Sequence, residues 1–155
     1  MALDIITILD AIQSHALATG YFDEVNGSEP KSPPPGNGIT AAVWVQEIGP
    51  ATGGSGLDST SARLAFFVRL YTGMVQEPAD MIDPNLMAAL DALCAAYSGD
   101  FTLDGLVRQV DLLGQFGEPM SSKAGYVIES GTENRVMTIT LPVIVNDLWD
   151  QEENA

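Results

Sequence analysis

One cysteine, one histidine and six basic side chains are all that 155 residues supply of three chemically important groups. A lone cysteine has no partner for an intrachain disulfide and cannot build a thiolate metal cluster. With a single histidine, hydrolytic chemistry would have to run on a carboxylate pair or a carboxylate metal site. No closely spaced acid pair falls on a predicted strand end, so the expectation is a protein that is not an enzyme and holds no metal or cofactor. Six Lys and Arg against 21 Asp and Glu leave a formal net charge of −15. Such a surface repels nucleic-acid phosphates and anionic membranes, which excludes a sequence-reading DNA groove. No apolar run approaches roughly 18 residues, and the opening MALDIITILDAIQ carries acids where a secretory leader needs a basic start. A non-exported protein without a membrane span is therefore expected.

What is present is a hydrophobic fraction of 46%, enough for one core, and a length that fits a single domain over 1–155. The clearest pattern is SARLAFFVRLYT (61–72). Leu64, Phe66, Val68 and Leu70 alternate with Arg63, Ala65, Phe67, Arg69 and Tyr71, the period-two signature of a strand with one face in a core. Its second face combines two arginines with two aromatic rings in a strongly acidic chain, which marks it as a docking face.

Residues 4–19 read as a helix capped by Asp4, with Ile5, Ile8, Leu9, Ile12 and Ala16 in a stripe and Gly20 at its end. His15, at the edge of that stripe, reads as a half-buried surface histidine, since no second ligand or base lies near it in sequence. Residues 20–39 form a long loop with Pro33, Pro34 and Pro35 in succession, an arm candidate. Its acids Asp23, Glu24 and Glu29 lack the alternating oxygen ligands of an EF-hand loop. Residues 40–48 make a strand with Trp44 and Ile48 on one face and Val43 and Val45 on the other. The glycine-rich tip 49–60 joins it to the organising strand. Gly54-Ser55-Gly56 in that tip is no phosphate loop, because no Gly-Lys-Ser/Thr follows.

A second helix at about 84–98 has Asp83 as its cap, Pro84 in the first turn and Gly99 at its close. Met87, Leu90, Cys94 and Tyr97 form its stripe, with Leu86 and Leu93 alongside. Cys94 lacks a neighbouring base or cation and reads as packing. Strands follow at 105–113, 125–130 and 135–145, the last with Pro142 requiring an edge or a break. The chain closes in an acidic tail, 147–155, bearing Trp149. This order predicts an α+β fold, two helices packed on one face of a mostly antiparallel sheet of four to five strands.

Four stretches, RLAFFVRLYTGM (63–74), IDPNLMAALDAL (82–93), GDFTLDG (99–105) and RVMTITLPVIVND (135–147), resemble in order and spacing the tail terminator proteins of long-tailed bacteriophages. The fold group is that of the phage lambda terminator, and the chain looks closest to those of phages infecting actinobacteria. With the opening helix the resemblance covers most of the chain; the proline-rich segment 30–38 departs from it. The resemblance implies a homo-oligomer, a six-membered ring in the virion that caps the tail tube protein, stops its polymerisation and meets the head–tail connector protein. Genomic DNA would pass through without specific binding, and an acidic lumen would suit that passage. Subunits of such charge still have to attract one another. Arg63, Arg69, Arg108 and Arg135 are candidates to meet a neighbour's carboxylates, Phe67 and Tyr71 complete the docking face, and Trp149 is a candidate strap between subunits. Other readings are a head–tail stopper, a tail tube subunit, or an acidic DNA mimic; the last should string its acids along one face, and here they are dispersed.

Overall fold

A computed structural model describes residues 4–28, 38–51, 59–74, 79–129 and 131–150, with 59, 60, 79, 129, 132 and 147–150 described as backbone only. Helix α1 (Ile5–Thr19) starts at Asp4, whose carboxylate accepts from the Thr7 backbone N–H at 3.2 Å and the Thr7 hydroxyl at 2.6 Å. It ends at Gly20 in the left-handed conformation, as its sequence predicts. Ile8, Ile12 and Ala16 are buried, and Ile5 and Leu9 pack against the same core.

Four strands then give one sheet edge to edge. β1 (Phe22–Asn26) pairs in parallel with β2 (Ile39–Pro50), β2 pairs antiparallel with β3 (Ser59–Gly73), and β3 pairs antiparallel with β6 (Thr132–Asp150). The far side of β6 is shared. β5 (Ser121–Glu129) pairs it from Thr132 to Thr140, and the two-residue β4 (Gln109–Val110) pairs it at Val143 and Ile144. The sheet is thus six-stranded, mostly antiparallel, and the fold is α+β.

Helix α2 (Ile82–Gly99) follows a short 3₁₀ turn (Ala79–Met81). Both helices lie on one sheet face. Their buried side chains, Leu86, Ala89, Leu93 and Tyr97 from α2 with Ile8 and Ile12 from α1, join Leu64, Phe66, Val68 and Leu70 of β3 and Met137, Ile139, Leu141 and Val143 of β6. The predicted apolar face of the organising strand is wholly buried. Tyr97 locks the helices together: its hydroxyl donates to the Ile12 carbonyl at 3.1 Å, and His15 meets its ring edge-on. His15 in turn lies 2.8 Å from Asp100, just past the end of α2. Leu103 and Asp104 have φ of 48° and 56°, a conformation that disfavours side chains. Leu103 tolerates it because its side chain is fully buried, and the Asp104 N–H donates to Asp100.

Several expectations need correction. Residues 20–39 are not all loop, since β1 lies within them; its five residues carry two acids and give too little alternation to read. The proline run 33–35 and the Gly54-Ser55-Gly56 segment lie outside the described residues. A bulge between Val45 and Glu47 shifts the face of β2, so Ile48 pairs with Leu64, on the side opposite Trp44. Asp83 does not cap α2. The cap position is Met81, without a side-chain bond, and Asp83 reaches Arg135 instead. The buried stripe of α2 centres on Leu86 and Leu93, and Met87 is exposed. Cys94 packs half-buried against the core, as read, and burial first, with Asp91 second, pushes its thiol pKa up. Of 105–113 only Gln109–Val110 is strand.

The expectation of an edge or a break at Pro142 resolves geometrically. β6 does not break there: Pro142 pairs Ala65 of β3 on one side, and on the other it meets the gap between β5 and β4, a local edge. Its carbonyl accepts from the Asp111 N–H at 2.8 Å, so its nitrogen faces the same side, between the end of β5 at Thr140 and the start of β4 at Val143. The missing donor falls where neither strand needs one.

The Asp104 N–H first, and His15 second, hold the Asp100 carboxyl below its ordinary value. A depressed native pKa adds stability above the unfolded value near 4, and that stability is lost as pH falls through the native value. Asp100→Asn is therefore expected to lower the melting temperature at pH 7, with the difference from the parent closing toward pH 2. Thermal melts across pH 2–7 check this.

Candidate interaction groove

The sheet face away from the helices is built from cross-strand rows. Directly opposed residues in antiparallel strands share a face. Ala42, Arg69, Thr138 and Lys123 form one row across β2, β3, β6 and β5; Trp44, Phe67, Thr140 and Ser121 form the next; Thr40, Tyr71, Val136 and Gly125 form a third. Over this floor lies a groove of about 760 Å³, lined at one end by Phe116, Gly117 and Glu118 and at the other by Val127 beside Val136 of the floor. A small apolar cluster of Ala42, Tyr71 and Val136, with Trp44 and Val127 against it, anchors the floor.

Arg69 is fixed in the middle of the floor. Its Nε donates to Thr138 Oγ1 at 2.8 Å, and its guanidinium lies 5.2 Å from the Trp44 ring centre and 5.9 Å from that of Tyr71. Trp44 and Phe67 meet edge to face, 5.9 Å between centres. Arg69 is thereby stacked and oriented but keeps its charge, since among the described residues it forms no ion pair. Arg63 sits under the 116–118 wall. It donates to the Glu118 carbonyl at 3.1 Å, and a β-carbon at Gly117 would lie 2.6 Å from its Nε. Only glycine permits that approach.

The wall is held by a buried acid. Asp111, 1% exposed, accepts from the Gln115 and Phe116 backbone N–H groups at 2.7 and 2.9 Å. Its own N–H bonds the Pro142 carbonyl, and its carbonyl accepts from Met120. One carboxylate therefore ties the loop to the sheet.

Of the six cations in the chain, Arg63, Arg69 and Lys123 line this groove, and none of the three forms an ion pair among the described residues. Glu47 and Glu118 also line it, both exposed. In a chain of net −15, this groove presents three cations against two carboxylates. Arg69 and Phe67 are thus together as the alternation predicts, with Arg63 beside them. Tyr71 belongs to the same face but is fully buried as floor. Arg135 lies on the helix side, donating to Asp83 at 2.9 Å and stacked 4.5 Å over Tyr126. Arg108 is near Asn146 and over Phe116. Trp149 pairs Thr60 through the backbone, so the strand continues into the segment expected to be tail; its side chain is outside the described residues. Lys123, Val127, Glu47 and the 116–118 wall are additions that alternation on one strand cannot reveal.

The described lining of the groove is cationic, acidic, aromatic and hydroxylic. It offers charge, rings and unpaired area, the makings of a contact surface.

No family model and no curated protein matches the sequence. Among solved structures the chain is similar to the PVC sheath/tube terminator, in its extended state, of an extracellular contractile injection system. The TM-score is 0.43 at 11% identity, over 100% of this chain and 61% of that one. This chain thus spans less than two thirds of that protein's length.

Asp111→Ala removes the buried acceptor of two part-buried backbone N–H groups, a loss of about 2–3 kcal/mol. Urea unfolding is expected to show that loss, and limited proteolysis to cut the variant first within 112–118.

Proposed function

We propose that this chain is a ring-forming tail terminator of a bacteriophage virion: copies assemble as a hexamer at the neck-proximal end of the tail, cap the tube, stop its polymerisation and present the opposite rim to the head–tail connector. The observation that carries the reading is the ordered resemblance of four stretches, joined to what those stretches are. RLAFFVRLYTGM ends β3, RVMTITLPVIVND is the body of β6, IDPNLMAALDAL is most of α2, and GDFTLDG is the turn after it. The resemblance therefore falls on the paired central strands and the helix that covers them, the parts that set the fold.

Charge supports the same reading. A ring through which DNA slides has to avoid holding it, and a chain of net −15 does so. Screening restricts the effect to acids within ~8–10 Å of the duplex. Attraction between subunits then falls to the few cations. Arg63, Phe67 and Arg69 in the groove supply it, with Arg135 and Trp149 as further candidates; Arg135, already paired to Asp83, has less to give.

A terminator needs two different rims, one complementary to the tube end and one to the connector, a heterologous stack that stops. A head–tail stopper is the second reading, favoured by the same acidity. The two part in a deletion phage. Without a terminator, lysates are expected to contain tails of uncontrolled length that fail to join heads; without a stopper, tails are uniform and only joining fails. Electron micrographs of the lysate decide, and uniform tails would overturn the terminator reading.

A further expectation concerns DNA. Duplex binding depends on phosphates neutralised by basic groups, which are scarce here. Gel-shift titration of the isolated protein at physiological salt should show no shift up to tens of micromolar; micromolar or tighter binding would contradict the slippery lumen.

A further inference from the structure

The groove described above has a chemistry that selects its occupant. Its floor places Arg69 and Lys123 in one row, with Phe67 in the next and Arg63 toward the wall. A fitting ligand is an extended acidic segment that also carries an apolar side chain. The densest acidic stretch of this chain has that composition: residues 147–155, DLWDQEENA, hold Asp147, Asp150, Glu152 and Glu153 with Leu148 and Trp149. We infer that the groove on the open sheet face receives the segment 147–155 of a second copy of this chain.

Reach decides between the chain's own segment and a neighbour's. Asp150 pairs Ser59, ten residues along β3 from Arg69. At about 3.3 Å per residue that is roughly 33 Å of strand. Residues 151–155 extend at most about 17 Å. The segment cannot fold back onto Arg69 or Lys123 of its own copy, so an occupant of this composition that meets those two cations comes from another. Each copy then gives one segment and accepts one, a heterologous contact that closes into a ring when the rotation allows. Nucleic acid is the other polyanion to consider. The two groove carboxylates and the −15 of the whole chain repel it, whereas a short peptide meets the three cations without bringing a long charged backbone. The inference rests on the self-association part of the reading above and is independent of any role in tails.

The test uses a fluorescent peptide of residues 145–155 and a full chain whose own segment is neutralised (D147N, D150N, E152Q, E153Q), leaving the groove open. The peptide is expected to bind this chain at micromolar concentration, more weakly as salt rises. Adding R69E and K123E should weaken binding at least tenfold. Because Arg69 is half-buried, K123E alone and R69Q with K123Q serve as milder variants, each accepted when its urea midpoint matches the parent. A peptide with the four acids changed to lysine should prefer the R69E, K123E chain, a reversal that general damage would not produce. In sedimentation, the neutralised chain should self-associate at least tenfold more weakly than the parent. Absence of peptide binding, equal binding to the reversed groove, or displacement of the peptide by a 12-nucleotide single strand would each overturn the assignment. Peptide binding with uniform tails in the deletion phage would keep the groove assignment and remove the terminator reading; uncontrolled tails without peptide binding would do the opposite.

Discussion

β3 and β6 run antiparallel from Ser59 and Asp150 to Gly73 and Asn134, roughly 50 Å of ladder at about 3.4 Å per residue. The pleat of this pair assigns every side chain to one of two faces, and both faces are used. Leu64, Phe66, Val68 and Leu70 meet the helices, and Arg63, Phe67 and Arg69 line the groove. A slip of one residue would put the arginines in the core and the leucines in the groove. Core and groove are therefore specified by a single register. The large apolar load on one side is what makes the polar display on the other side exact in position.

The fold was legible where one strand or helix carries its own pattern. Asp4 and Gly20 bracket α1 as read, and the alternation over 61–72 gives both faces of β3. It was illegible where structure depends on pairing. β1 has five residues and two acids, so its place beside β2 follows from the sheet and from no periodicity of its own. The bulge in β2 lies between Val45 and Glu47, within an uninterrupted run of sequence that counts as alternating. It turns Glu47 toward the groove and Ile48 away from it. At the start of α2, Asp83 has the composition of a cap, but Arg135 offers a charged, two-pronged partner that a cap cannot match.

The groove divides the same way. Arg69 and Phe67 follow from one strand's alternation. Lys123 reaches their row only because β5 runs along β6 with Lys123 opposite Thr138. The wall depends on Asp111, a residue that sequence presents as one more acid among 21. Its burial distinguishes it, and burial is a property of the finished fold. In a chain so rich in carboxylates, the cations that matter are those whose partners are rings and carbonyls. Arg69 is stacked and Arg63 is capped by a carbonyl, so geometry is fixed while, among the described residues, neither charge has an ion-pair partner.

Pro142 also acts as a stop on a ruler. β5 ends opposite Thr140, and a two-residue slide toward β4 would bring one of its carbonyls against a nitrogen that has no hydrogen to give. Slides by an even number preserve the faces and would otherwise be the inexpensive error in a strand pairing. The proline removes that alternative from one end, and Asp111, bonded to the same residue's carbonyl, occupies the vacant position. The single imino acid inside the longest strand thus fixes where its two neighbours end and begin, and with them the alignment of Lys123 with Arg69.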